Sequence, residues 1–253
     1  MVRKPAKGLK SVRPERRLVD NILIVTEGSK TEKEYLDWLK LYFKFENNRL
    51  INIHLEPGNH KSQPDQVVDH TLSVENVKNY NHVYILIDRD DFDISKIKSA
   101  IKIANSEKFK ILISYPCIEY WFLLHWNNPP RGEYSLPRGA ACKSQLKKKY
   151  LNYENNLFDF FDSINCCNKI FAGIEGAKKV ASLLAASAED NMNANPSVMF
   201  DLLLSHLEEL KVLLETGNPS KKEYNNKYKS KLTEINSSVK KRLQNILKSS
   251  EFK

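Results

Sequence analysis

The chain has 253 residues, 41% hydrophobic and 28% charged, with a formal net charge of +9. No apolar segment approaches the roughly 20 residues of a membrane span, and no apolar stretch follows the basic residues near the start as a secretory signal requires. A cytoplasmic protein without a membrane partner is therefore expected.

In chain order, residues 1–19 hold seven Lys/Arg against Glu15, broken by Pro5, Gly8 and Pro14, and read as a basic arm. Ile22-Leu23-Ile24-Val25 predicts a strand over 21–26, and Tyr35, Leu36, Leu39 and Phe43 fall at helical spacing in a helix over about 31–45. A strand over 52–56, a loop over 57–64, a helix over 65–79 and a strand over 82–88 follow. After them come a helix over about 94–106 and a strand over 109–115, ended by Pro116. Continuous apolar strands covered on both faces, alternating with helices, predict a three-layer α/β domain around a mostly parallel sheet.

From about 117 the pattern turns helical: an aromatic stretch at 118–126, then helices over 141–151, 155–162, 175–188 and 197–215, the last with Ser197 as N-cap. A Lys-rich tail predicts a linker and an amphipathic helix over about 229–248. The organisation is thus an arm (1–19), a catalytic domain (20–130), a helical extension (131–216) and a basic tail (217–253). The arm carries +6 and the tail +7, which leaves −4 for residues 20–216. Two cationic segments flank an acidic centre, a distribution suited to gripping a phosphate backbone around a cation site.

The chemistry concentrates where strands end in carboxylates. The first runs into Thr26-Glu27-Gly28, the third into Asp88-Arg89-Asp90-Asp91. In a parallel sheet these ends share one edge, where ligands bind, and Asp88 and Asp90 point to one side of extended backbone. Either half alone reads as a turn or a cap. Together they make an oxygen-donor site for Mg²⁺ or Mn²⁺.

Glu32 joins this edge from the first helical turn. Glu119 falls in the first turn after Pro116, as a ligand, as a carboxylate orienting one, or as an acid favoured by the helix dipole. His60 and Lys61 lie in a loop at the same edge, and Arg89, Lys143, Lys178 and Lys179 are candidate phosphate contacts, although helical lysines are more often a solvated face. His125, Trp121 and Trp126 read as core. His54, His60, His70, His82 and His206 show no ligand spacing, and the four cysteines, without CxxC or zinc spacing, read as reduced thiols. No Walker motif is present.

Strand-Glu-Gly followed about sixty residues later by strand-Asp-x-Asp resembles the Toprim domain of topoisomerases, primases and OLD-type nucleases. The stretches EGSKTEKEYL (27–36), DRDDFD (88–93), PCIEYWFLLHW (116–126) and NPSVMFDLL (195–203) resemble more closely the RloB-like proteins, a Toprim branch of bacterial abortive-infection defence. The resemblance covers about 20–215. It implies a Rossmann-like Toprim fold and a metal-dependent nuclease, with Glu27, Asp88 and Asp90 catalytic and Glu27, Glu32, Asp88, Asp90, Asp91 and Glu119 near Mg²⁺. It further implies an RNA or DNA substrate (tRNA among the RNAs), a toxic anti-phage effector, and an ATPase partner encoded nearby; a homodimer is compatible with it. A nucleic-acid-binding module with a structural metal site and a primase-type nucleotidyl transferase stay open beside this reading.

Overall fold

The β-branched runs of the sequence become the middle of a sheet. The computed structural model describes residues 20–46, 48, 50–58, 63–89, 92–127, 139–150, 153, 156–190, 197–216 and 222–248. Four strands, β1 (Asp20–Thr26), β2 (Ile51–Pro57), β3 (His82–Asp88) and β4 (Lys110–Tyr115), run parallel in the order β2-β1-β3-β4. A two-residue strand, β5 (Ser197–Val198), closes the β4 edge antiparallel. Residues Ile22–Val25, Val83–Ile87 and Ile111–Ile113 are all buried. Neighbouring side chains in a strand face opposite ways, so helices must cover both faces.

The described helices are α1 (Thr31–Tyr42), α2 (Pro64–Ser73), α3 (Ile94–Ser106), α4 (Ile118–Leu123), α5 (Gly139–Lys149), α6 (Leu157–Asn165), α7 (Gly173–Asp190), α8 (Phe200–Glu215) and α9 (Lys222–Lys248). α2 packs along α3, α1 along α6, and α8 along α9. An aromatic core sits under α1. The Tyr35 ring lies 5.0 Å from Phe122, 4.9 Å from Phe161 and 5.4 Å from Phe200, and its hydroxyl accepts a 3.1 Å hydrogen bond from Trp121 Nε1. Trp121 and His125 are fully buried, as expected.

Several boundaries differ from the sequence expectations. The first helix stops at Tyr42, because Lys44 turns left-handed at φ 58°. The helix expected over 65–79 ends at Ser73. Val74 is extended, Asn76 is left-handed at φ 59°, and a separate 3₁₀ turn covers Val77–Asn79. Ser197 is not a helix cap: it lies in β5, and α8 begins at Phe200. The open backbone groups of β4 explain this. Ser197 and Val198 pair with Tyr115 and Ser114, and Met199 N–H donates to Ile113 O at 3.2 Å, so ladder pairing overrides the local helix signal. The last helix begins at Lys222 rather than near 229.

No described helix is long and apolar enough to cross a membrane.

Candidate functional site

β1 and β3 are neighbours, yet β1 connects to β2 on one side and β3 to β4 on the other. The strand order reverses between them, and such a reversal opens a crevice at the carboxyl edge. Glu27 and Asp88 end the two strands at this point. Glu27 N–H donates to Leu86 O at 3.2 Å, and Glu27 Oε2 accepts the Asp88 N–H at 3.1 Å. Two acids 61 residues apart in sequence thus meet through one hydrogen bond.

The turn carrying Glu27 is held from three directions. Thr26 Oγ1 donates to Gly28 O at 2.7 Å, Gly58 N–H donates to Thr26 O at 2.7 Å, and Gly28 N–H donates to Glu32 Oε1 at 3.1 Å. Close approach to backbone requires Gly58, whereas Gly28 lies against the carboxylate end of Glu32. A Cβ on Gly28 would lie 2.3 Å from a Glu32 carboxylate oxygen, and one on Gly58 2.7 Å from Thr26 O. No side chain fits in either gap without displacing the acid edge.

Glu32 and Glu119 form the deeper half. Burial, with the nearby charge of Glu119 adding to it, raises the Glu32 carboxyl above the usual carboxylate range, against backbone hydrogen bonds that pull it down. Glu119 is 2% exposed in the first turn of α4. Its Oε1 accepts from Tyr153 O–H at 3.3 Å and lies 3.5 Å from Lys143 Nζ. Its Oε2 is buried and has no hydrogen-bond partner among the described residues. Glu119 first, and Asp88 further off, raise the Lys143 ammonium above its ordinary range. A cavity of about 370 Å³ opens here, lined by Lys30, Thr31, Glu119, Lys143, Tyr153 and Leu157.

The fold therefore gathers Glu27, Glu32, Asp88, Glu119 and Lys143 at one edge. Asp90, Asp91, His60 and Lys61 lie outside the described residues. Arg89 is placed differently from the expected phosphate contact: it is 6% exposed, with its guanidinium 4.2 Å above the Tyr115 ring. Lys178 pairs with Glu208 of α8, and with Glu175 at 3.7 Å. Neither Lys178 nor the exposed Lys179 lines the cavity.

Sequence reading did not single out Lys30, although it lies inside the stretch EGSKTEKEYL, and missed Tyr153, which carries no motif and meets the site only through tertiary packing. The histidines show no ligand spacing along the chain, and a grouping of two of them appears only in the fold. The fold brings His82 and His206 to Asp20, at the opposite edge of the sheet, with one ligand atom from each within 4.8 Å of the others.

The donor set at the carboxyl edge is all oxygen, the preference of Mg²⁺ and Mn²⁺ rather than of softer metals. An unpartnered buried carboxylate oxygen is costly, and a cation supplies the partner that Glu119 Oε2 lacks. Among the described residues these acids do not bring three ligand atoms within 4.8 Å of one another, so the fit rests on the oxygen chemistry of the set and on the unpartnered Glu119 Oε2.

Compared with protein-family models, residues 22–207 match the one described as RloB-like protein. No curated protein and no solved structure matches the chain.

Proposed function

The chain belongs to the RloB-like protein family, and from that premise we propose that it is a Toprim-type, Mg²⁺-dependent nuclease. The observation that carries this reading is the junction of Glu27 and Asp88 across the strand-order reversal, with buried Glu32 and Glu119 beside it.

Glu27 and Asp88, joined by Asp90 in the resemblance, would hold the ion, with Glu32 and Glu119 serving a second ion or orienting the first. When bound, Mg²⁺ polarises the scissile phosphate and stabilises the leaving oxygen. The protein's own groups do the rest. Lys30 and Lys143, at the cavity beside the acids, take the backbone phosphate. Glu27, its carboxylate oriented by the Asp88 amide, takes the proton of the attacking water. Tyr153 fixes Glu119 through its hydroxyl.

By the same resemblance the substrate is nucleic acid, with RNA favoured and tRNA among its forms. The physiological role is that of a toxic effector in anti-phage abortive infection, restrained by a neighbouring ATPase. Purified protein incubated with labelled tRNA, single-stranded RNA or duplex DNA, in Mg²⁺, Mn²⁺ or EDTA, tests this. Discrete cuts that need the metal and fall at least ~100-fold in Glu27→Ala and Asp88→Ala are expected. Cutting that persists in both variants would assign the activity elsewhere. A folded protein that binds but never cuts, with the ATPase present, would be a nucleic-acid-binding module.

A further inference from the structure

The amino edge of the sheet, opposite the acids, holds a second constellation that the nuclease reading does not use. Asp20 and His82 are the first residues of neighbouring strands β1 and β3, His206 is on α8, and Tyr228 is on α9. We propose that Asp20, His82 and His206, with the Tyr228 oxygen as fourth donor, bind one transition-metal ion of the Zn²⁺ class that pins the two C-terminal helices to the sheet.

The argument begins with convergence. His82 Nε2 lies 3.2 Å and His206 Nε2 3.4 Å from the same atom, Asp20 Oδ2. The Tyr228 hydroxyl lies 2.7 Å from His206 Nε2 and also hydrogen-bonds Asp20 Oδ2. Bonds of roughly 2.0–2.1 Å from Zn²⁺ to nitrogen and oxygen put tetrahedral ligand atoms about 3.3–3.4 Å apart. The two histidine-to-aspartate spacings fall close to that edge length. In the metal-free protein these atoms share hydrogen bonds; insertion of an ion moves the Tyr228 oxygen outward from Asp20 and from His206, at 2.7 Å in the latter case, toward that edge length, and releases the phenol proton to solvent.

Outer contacts support the same assignment. Asp20 Oδ1 accepts the Asn21 N–H at 3.0 Å, which leaves Oδ2 facing the histidines. Tyr84 O–H lies 2.9 Å from His206 Nδ1, the outer partner that metal-bound imidazoles usually have. Asp20 and His206 are buried at 1% and 0% exposure. The His82 side chain, at 15% exposure, offers the way in. Four protein donors and no open position describe a structural site rather than a catalytic one. Two imidazoles favour Zn²⁺ or Co²⁺ over Mg²⁺, so the two edges would not compete for the same ion.

One neighbour opposes binding. Lys110 Nζ lies 3.2 Å from His82 Nδ1, where a metal-bound ring carries its proton. An ammonium there repels both that N–H and the ion. This gives the proposal a signature that a plain hydrogen-bond network lacks: removing the Lys110 charge should strengthen metal binding.

The test uses the full-length protein stripped of metal and titrated with Co²⁺, followed by visible absorption and by calorimetry, with circular dichroism to confirm folding. The expected result is one equivalent of tetrahedral cobalt, displaced by Zn²⁺. At Zn²⁺ a hundredfold above Kd the melting temperature should rise by roughly 5 °C. Affinity should fall at least hundredfold in folded His82→Ala, rise in Lys110→Met, and stay unchanged in Glu27→Ala and Asp88→Ala. A folded protein that takes up no cobalt, or a cobalt spectrum unchanged in His82→Ala, would overturn the assignment. The cluster would then be a hydrogen-bond network alone.

Discussion

His125 shows how a single side chain ties this fold to pH. It is fully buried, its Nδ1 donates to Trp121 O at 3.0 Å, and the Trp121 ring lies against it at 4.9 Å. Burial disfavours the imidazolium and holds its pKa down to about 4, from an ordinary value of 6.5. An unfolded chain therefore takes up a proton near pH 6.5 that the folded chain refuses until about pH 4. The folded state binds fewer protons across that window, so stability falls as pH drops through it. Measured by urea unfolding, the loss between pH 7 and 4.5 should be smaller by about 2 kcal/mol in His125→Gln than in wild type. An equal loss would mean that the ring titrates freely. At the same scale, Gly58 marks where the acid edge has no room for even one carbon, because the Thr26 carbonyl oxygen would lie 2.7 Å from it.

Between elements, α9 is the clearest case of sequence becoming packing. Tyr228, Leu232, Ile235, Val239, Leu243 and Ile246 recur at helical spacing and are all buried, while Lys227, Lys229, Lys240 and Lys241 are exposed. One ion pair fixes how this helix docks. Arg242 forks onto Asp201 of α8 with two 2.7 Å bonds and donates to Val198 O of β5 at 3.0 Å. Asp201 is only 4% exposed. Arg242→Ala leaves a buried carboxylate without its counter-charge and should cost about 3–5 kcal/mol in urea unfolding. Arg242→Lys keeps the charge but loses the planar fork, and should recover only part of that. A cost below about 1 kcal/mol would show that the pair is in effect a solvent-screened surface contact.

For the whole molecule, the uneven charge is the dominant property. An acidic centre at −4 sits beside a tail at +7, and the exposed lysines of α9 project from it. On the proposed nuclease reading, replacing Lys227, Lys229 and Lys240 by Gln should weaken binding to RNA and DNA alike. It should also flatten the dependence of log K on log salt by about 1 for each phosphate that is no longer neutralised. Filter binding across a salt series reads this directly. An unchanged slope would take α9 out of the proposed nucleic-acid contact.

By itself the sequence determined the alternation of parallel strands and helices, because buried strands need continuous apolar β-branched runs and amphipathic helices need their 3.6-residue spacing. It also determined that Glu27 and Asp88 share an edge, since parallel strands must end on the same side. Tertiary structure alone decided the rest. β5 is a strand because the edge of β4 left backbone groups open, which local propensity at Ser197 could not report. Lys30 and Tyr153 reach the cavity, and Asp20, His82, His206 and Tyr228 meet, only because four or more elements pack together. No spacing along the chain encodes contacts between residues up to 208 positions apart.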